Sequence, residues 1–158
     1  MNINVLIDKE IKGCPESSWL QSIAEHALIA QGVSSNTELG LVIASQKRVQ
    51  ELNRDYLGKD RPTDVLAFAM LPAEEKPVPD VTLFATPPDG MLHLGEVIIS
   101  YPQAVIQAEE RQHSVRKELA IIIIHGVLHL LGFDDENPEL KKQMAAREKA
   151  ILNSTVIE

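Results

Sequence analysis

The residues best suited to chemistry lie near the C-terminus, in the run His125-Gly-Val-Leu-His129-Leu-Leu-Gly132-Phe-Asp134-Asp135. Histidines four positions apart lie on one face of a helix, so both imidazoles can reach one metal ion. The glycine three residues later can end the helix and turn the chain back. That turn would bring a carboxylate to the same ion, with Asp135 the favoured candidate. Two histidines and a carboxylate leave a coordination position for water, so the run predicts a metal-hydrolase site.

Three other interpretations of this run compete with a hydrolytic metal site. A pair of buried core histidines is one, but burying two imidazoles and an aspartate without partners would cost several kcal/mol, which a metal would remove. A second is a peptidase, because the spacing H-x-x-x-H-x-x-G-x-x-D is similar to that of the metzincins. The position of their general-base glutamate here holds Gly126, which argues against peptide hydrolysis. The third, an iron oxygenase with two histidines and one carboxylate, has no further support in the sequence.

The composition is that of an ordinary globular chain. At 158 residues, with 44% hydrophobic and 24% charged residues, we expect one domain over residues 1–158. The longest apolar stretch, 119–131, is shorter than the roughly 20 residues of a membrane span. The N-terminus lacks the basic region and cleavage site of a signal peptide, and Cys14 has no second cysteine to pair with. These features predict a cytoplasmic protein with no membrane partner.

The charge is unevenly distributed. The net charge of −8 argues against general nucleic-acid binding. Residues 47–61, however, hold five basic and three acidic residues, so this segment is +2 and the remainder is −10. A basic patch on an acidic body can bind phosphates, with Arg54, Lys59 and Arg61 as the candidate contacts. The alternative, a solvated helix with i,i+3 and i,i+4 charge pairs, is favoured on charge alone.

Hydrophobic periodicity predicts an α/β (α+β) fold with a small mixed four-stranded sheet and about five helices. The predicted strands cover 3–7, 38–44, 64–69 and 94–100, and the predicted helices cover 15–32, 45–56, 102–112, 114–131 and 137–152. Ser45 and Ser114 are expected to be N-caps. The metal site is expected at the end of the fourth helix, which is apolar nearly all round and therefore central and buried. Five of the nine prolines lie between the third and fourth strands, in a segment (71–92) that we expect to be a functional flap or a mobile excursion.

Three blocks of the chain resemble one family, the bacterial YbeY rRNA-maturation endoribonucleases. The run His125-Gly-x-Leu-His129-Leu-x-Gly132-Phe-Asp134 resembles that family's HGxLHLxGYDH signature. The block Leu52-Asn53-x-x-Tyr56-x-Gly58-Lys59-Asp60-x-Pro62-Thr63-Asp64-Val65-Leu66-x-Phe68 is similar to its LNxxyRgKDxPTDVLSF. The block Leu94-Gly95-Glu96-Val97-Ile98-Ile99-Ser100 is similar to its LGDIvIS strand. The blocks occur in the family's order and cover nearly the whole chain.

The resemblance implies properties that composition and spacing do not. It implies a mixed sheet with surrounding helices, and a zinc ion held by three histidines. It implies a hydrolase that cleaves single-stranded RNA, matures the 3′ end of 16S rRNA and acts in ribosome biogenesis and quality control. The implied partners are rRNA and the small ribosomal subunit, with ribosomal proteins or assembly GTPases.

Two positions depart from the family pattern. The third histidine ligand falls on Asp135, so the expected ligands are His125, His129 and Asp135. An anionic ligand makes metal-bound water less acidic and favours harder ions such as Mn²⁺ beside Zn²⁺. The family's arginine after the tyrosine falls on Leu57, and Arg54 or Arg61 would have to take its place. These departures keep two alternatives open: a non-catalytic, metal-binding ribosome-assembly factor, and a metallohydrolase of another substrate class.

Overall fold

The structure, a computed structural model, describes residues 1–70, 91–134 and 136–157, and these form four strands and five helices. In chain order the elements are β1 (Asn2–Ile7), α1 (Ser17–Ala30), β2 (Thr37–Ala44), α2 (Gln46–Leu57), β3 (Val65–Ala69), β4 (Leu92–Ser100), α3 (Tyr101–Glu110), α4 (Val115–Leu130) and α5 (Pro138–Asn153). The predicted α/β class and the predicted order of elements are confirmed. Asp135 and the five prolines of the 71–92 segment lie outside the described residues.

The sheet is mixed, with the strand order β1-β2-β4-β3. The strands β1, β2 and β4 are parallel, and β3 pairs with β4 in the antiparallel direction at one edge of the described sheet. Gly95, at φ 128°, lets β3 approach β4, because a Cβ there would lie 2.1 Å from the carbonyl oxygen of Phe68. Any other residue at this position would push the edge strand away.

Two apolar layers of unequal size cover the two faces of the sheet. The larger layer joins α1, α4 and α5 to the odd-numbered residues of β1 and β2. The smaller layer lies under α2, where Val49 packs with Leu66 and Ile98. Ten of the sixteen residues of α4 are buried, which confirms that this is a central helix.

A serine caps the N-terminus of each of the helices α2 and α4, which contribute to the cleft described below. Ser45 accepts a hydrogen bond from the backbone N–H of Arg48 at the start of α2, and Ser114 accepts one from Lys117 at the start of α4. Both predicted N-caps are thus confirmed. Within the described ranges, no helix has both the length and the apolar character needed to cross a membrane.

Candidate metal centre

An open cleft of about 380 Å³ lies where the C-terminal end of α4 meets the edge strand β3. Helix α2, the turn before β3, β3 itself, α4 and the turn after α4 all contribute to its walls. The lining residues are Leu57, Thr63, Asp64, Val65, Leu66, Ala67, Ala69, His125, Gly126, His129, Leu130, Gly132, Phe133 and Asp134. The cleft therefore brings together residues from both long sequence blocks.

The two histidines of the opening motif face this cleft from one side of α4. Their Nε2 atoms lie 3.0 Å apart, and their ring centroids lie 4.6 Å apart with the planes inclined by 69°. Both side chains are half-buried, whereas the three residues between them are buried. The two imidazoles share one face of the helix, as their spacing predicts, and they open onto a cleft rather than into the core.

A carboxylate on a different helix orients the first histidine. The Nδ1 of His125 lies 2.5 Å from Oε1 of Glu148 on α5, and both side chains are about 30% exposed. Because a carboxylate only accepts, Nδ1 carries the proton and donates it in this hydrogen bond. In the neutral ring the lone pair is then on Nε2, the atom directed toward His129. A carboxylate behind a histidine is the usual outer partner of a metal ligand, because it fixes the tautomer and the ring orientation.

This donor set fits a divalent transition metal. Two ligands placed about 2.0 Å from a tetrahedral zinc lie roughly 3.3 Å apart, close to the 3.0 Å that separates the two Nε2 atoms. Among residues 1–70, 91–134 and 136–157, no three His, Cys, Asp or Glu side chains form a group able to hold a metal. The predicted third ligand, Asp135, lies outside those ranges. Ligation by His125, His129 and Asp135 therefore stays a prediction.

Gly126 has a packing role that the sequence did not reveal. A Cβ at this position would lie 2.6 Å from Cγ1 of Val97 and 3.5 Å from Cγ2 of Val65. Since Val97 is fully buried, the backbone of α4 can lie against β3 and β4 only where the helix has no side chain. The residue that argued against a peptidase is thus the residue that lets the helix approach the sheet.

The turn after α4 is held by its own polar groups. Gly132, at φ 108°, reverses the chain after the helix, as its place in the motif predicts. The Oδ1 atom of Asp134 accepts the backbone N–H groups of Glu136 and Asn137, both at 3.0 Å. Asp134 lines the cleft, while Glu136 is exposed and does not. One oxygen of the Asp134 carboxylate is therefore committed to the turn.

A second carboxylate of the cleft is connected to a buried polar network. Asp64 precedes β3 and accepts a hydrogen bond from the side-chain amide of Gln107 on α3. The nitrogen of that amide faces both carboxylates, and donates to Oδ2 of Asp64 at 3.3 Å and to Oε2 of Glu118 at 3.2 Å. Glu118 is fully buried, and accepts from Arg111 at 2.9 Å and from His113 at 2.6 Å. The network fixes the Asp64 carboxylate at the cleft wall.

The sequence interpretation missed both Glu148 and the Asp64 network. Glu148 is 23 residues from His125, and their contact depends on how α4 packs against α5. Gln107 and Asp64 are 43 residues apart. No spacing rule relates such positions, and the only signal in the sequence was the presence of Asp64 in the second block.

The predicted basic residues lie close in sequence to residues that line the cleft but do not line it themselves. Leu57, in the position of the family's arginine, does line the cleft and is 51% exposed. Arg54, Lys59 and Arg61 are exposed. The guanidinium of Arg54 donates to Asp55 at 3.0 Å, and this contact raises the pKa of Arg54. Their role in phosphate binding stays a prediction.

Known proteins resemble this chain over most of its length. The sequence profile of the family described as endoribonuclease YbeY matches residues 4–156. Two relatives of that name from Dehalococcoides mccartyi are 48% identical over 85% of this chain and 78% of the relative, and 47% identical over 94% and 92%. One from Moorella thermoacetica is 44% identical over 85% of this chain and 83% of its own.

A solved structure agrees with these sequence matches. The solution structure of a protein from Thermotoga maritima superposes with a TM-score of 0.61 and 26% identity, covering 95% of this chain and 86% of the other. The profile and the relatives confirm the family that the three sequence blocks predicted, and the solved structure shares the fold. This chain belongs to the endoribonuclease YbeY family.

Proposed function

We propose that this protein is a metal-dependent endoribonuclease that hydrolyses single-stranded RNA. The observation that carries the proposal is the pair of Nε2 atoms 3.0 Å apart at an open cleft, one ring oriented by Glu148, in a chain of this family. By the same proposal the substrate is the precursor of 16S rRNA, cut during maturation of its 3′ end, and the protein acts in ribosome biogenesis and quality control.

One divalent ion, Zn²⁺ or Mn²⁺, would be held by His125, His129 and Asp135. The two imidazoles alone suit either ion, and a carboxylate as third ligand would favour the harder one. When bound, the ion supplies Lewis-acid polarisation of the scissile phosphate and activation of a water or of a ribose hydroxyl.

The side chains around the ion site have separable tasks in this proposal. Glu148 holds the proton on Nδ1 of His125, so that Nε2 of this ring presents a lone pair to the cleft. Asp64, fixed through Gln107, offers a hydrogen-bond acceptor in the same cleft. Arg54, Lys59 and Arg61 would attract and position the RNA backbone, because they supply the positive charge of this segment.

The proposed setting follows from the proposed substrate. Precursor rRNA and the small ribosomal subunit are the expected partners, with ribosomal proteins or assembly GTPases bound beside them. Maturation of precursor rRNA takes place in the cytoplasm, which is the location we propose for this protein. No described helix is able to cross a membrane. The net charge of −8 restricts binding to the basic segment and disfavours indiscriminate contact with nucleic acid.

The test compares RNA cleavage and metal content in matched histidine variants. Metal-loaded protein should cleave a single-stranded RNA and spare the same sequence in a duplex. His125→Ala should lose cleavage, and His129→Ala should lose stoichiometric metal. His26→Ala, which changes a histidine bonded to Ser154 outside the cleft, is the control and should behave as wild type. Undiminished metal in His129→Ala would refute the site.

A second candidate function is supported by Leu57. This residue places an apolar side chain in the cleft where the family pattern has an arginine. A non-catalytic assembly factor, with a structural metal and an rRNA-binding surface, would need no such arginine. Absence of cleavage by metal-loaded protein, with ribosome association retained by His125→Ala, would favour this function over the nuclease. If RNA were untouched while a small phosphate ester was hydrolysed, a metallohydrolase of another substrate class would be favoured instead.

A further inference from the structure

An exposed tyrosine rests on a half-buried phenylalanine beside residues that line the cleft. Tyr56, in the last turn of α2, is 71% exposed. Its ring centroid lies 5.8 Å from that of Phe68 on β3, with the planes inclined by 72°. Phe68 is half-buried and packs against the small apolar layer beneath α2. The edge-to-face contact thus holds the tyrosine ring in place while most of its surface stays accessible to solvent.

The pair is continuous with the cleft on both of its sides. Leu57, the next residue after Tyr56, lines the cleft, as do Ala67 and Ala69, which flank Phe68 on β3. Because successive residues of a strand point to opposite faces, Phe68 stands on the α2 side of the edge strand while its neighbours face the cleft. Tyr56 is therefore next to one residue that lines the cleft, and Phe68 lies between two others.

The segment that holds the ring, residues 47–61, carries a net charge of +2. Near the ring in sequence, Arg54, Lys59 and Arg61 are exposed beside Asp55, which pairs with Arg54, and Asp60. Gly58, in the left-handed conformation at φ 70°, ends the helix, and the buried Asn53 side chain donates to the carbonyl of Arg61 at 3.0 Å. This hydrogen bond fixes the turn against α2, so Lys59 and Arg61 extend from a defined backbone a few residues after the tyrosine.

We propose that Tyr56, supported by Phe68, is a stacking subsite for one unpaired nucleobase of the RNA strand that enters the cleft, an inference that rests on the proposed function. An accessible ring flanked by cations is the combination with which proteins hold single-stranded nucleic acid, because every base has a face that stacks. A duplex keeps its bases stacked on one another and offers none to the ring. The subsite therefore gives the cleft a preference for single strands without base-specific hydrogen bonds.

A structural role alone accounts poorly for the tyrosine. A residue that only covers Phe68 would bury its own ring in doing so, and Tyr56 remains largely exposed. Contiguous exposed apolar surface of this kind often marks a binding site. Here Tyr56 and Leu57, which are adjacent in the chain, are both more than half exposed.

The test couples a change in the protein to a change in the RNA. A short single-stranded RNA carries 2-aminopurine at successive positions around the cleavage site, and its fluorescence is followed after rapid mixing with full-length, metal-loaded protein. Wild type should quench one position most strongly. Tyr56→Leu, which keeps an apolar cover on Phe68, should lose that quenching and raise KM about tenfold with kcat within about twofold. Tyr56→Phe should retain both properties, and Ile29→Ala, an exposed apolar residue of α1, is the control.

An abasic substitution at the quenched position completes the cycle. Removing the base should raise KM for wild type by about the same factor as Tyr56→Leu, and should have no further effect on the Tyr56→Leu protein. Additive effects would overturn the stacking subsite, as would an unchanged KM and unchanged quenching in Tyr56→Leu. If wild type neither binds nor cleaves single-stranded RNA, the proposed function fails and the subsite fails with it. Cleavage without coupling to Tyr56 rejects the subsite alone.

Discussion

Removing the carboxylate of Glu148 should weaken metal binding without unfolding the protein. Its Oε1 atom lies 2.5 Å from Nδ1 of His125, a charge-assisted contact that fixes the ring with Nε2 toward the cleft. Loss of such an outer partner typically lowers metal affinity about 10- to 100-fold, or about 1.4–2.7 kcal/mol. Because both side chains are about 30% exposed, water can replace part of the contact. We therefore expect Glu148→Ala to lower affinity about tenfold.

The measurement is a competition for Zn²⁺ between the protein and a chelator of known affinity, at one fixed pH. Glu148→Gln should have an intermediate affinity, because its amide oxygen still accepts from Nδ1–H but carries no charge. Glu110→Gln is the matched control, since it removes the same charge from an exposed position on α3. Thermal unfolding of each metal-free protein separates loss of affinity from loss of fold.

Two results would refute the reasoning. Wild-type affinity in folded Glu148→Ala would mean that the carboxylate does not orient a ligand. An equal loss in Glu110→Gln would mean that the effect comes from the overall charge and not from the contact with His125. A loss confined to the Glu148 variants, graded from Gln to Ala, is the expected outcome.

Three further predictions concern the fold around the cleft. Gly126→Ala should lower the free energy of unfolding by about 1–3 kcal/mol, because the added methyl group overlaps Val97. In urea titrations, most of this destabilisation should disappear when the same substitution is made in the Val97→Ala protein. If the two substitutions destabilise the protein additively, the packing role of Gly126 is contradicted. Glu118→Gln should lower the free energy of unfolding by about 2 kcal/mol, because it leaves Arg111 and His113 without their buried anion. An unchanged urea midpoint would mean that these ion pairs do not stabilise the fold. Burial raises the pKa of Cys14 to about 11, so its alkylation rate should rise near pH 11 in the folded protein and near pH 8.5 in urea. Because the pKa is raised in the folded protein, the thiol's contribution to stability is present below the pKa of the unfolded chain and is lost as the pH rises toward 11. The same pH dependence of alkylation in folded and in urea-unfolded protein would refute the raised pKa.

The elements of this fold follow from local signals, which is why the sequence predicts them well. Ser45 and Ser114 cap their helices through backbone groups three residues away, and Gly58 ends α2 in a conformation that glycine adopts at little cost. Strand pairing is not a local property. Nothing in the periodicity of β3 indicates that it runs antiparallel to β4 at the edge, a placement that depends on the approach permitted by Gly95.

The residues of the site differ in the same way, because some are related within one helix and others only through the packing of distant elements. His125 and His129 were predictable because their relation is a property of one helix. Glu148 and Asp64 were not, because their places depend on the packing of α5 against α4 and on the contact of α3 with the turn before β3. A sequence pattern of this kind identifies the atoms that face the ligand, whereas the groups that orient those atoms come from elements distant in the chain.

Gly126 links the fold to the chemistry. The Cβ of any other residue at this position would overlap Val97, so a glutamate there could not be accommodated without moving the sheet away from the helix. The same close packing brings β3, and Asp64 before it, to the wall of the cleft that the histidines also line. Of the two carboxylates of the described residues that line the cleft, Asp134 commits one oxygen to its own turn, while Asp64 is held from behind by Gln107. The close packing at Gly126 therefore leaves no room for a carboxylate between the two histidines of α4, and the described carboxylates of the cleft come from the segments before β3 and after α4.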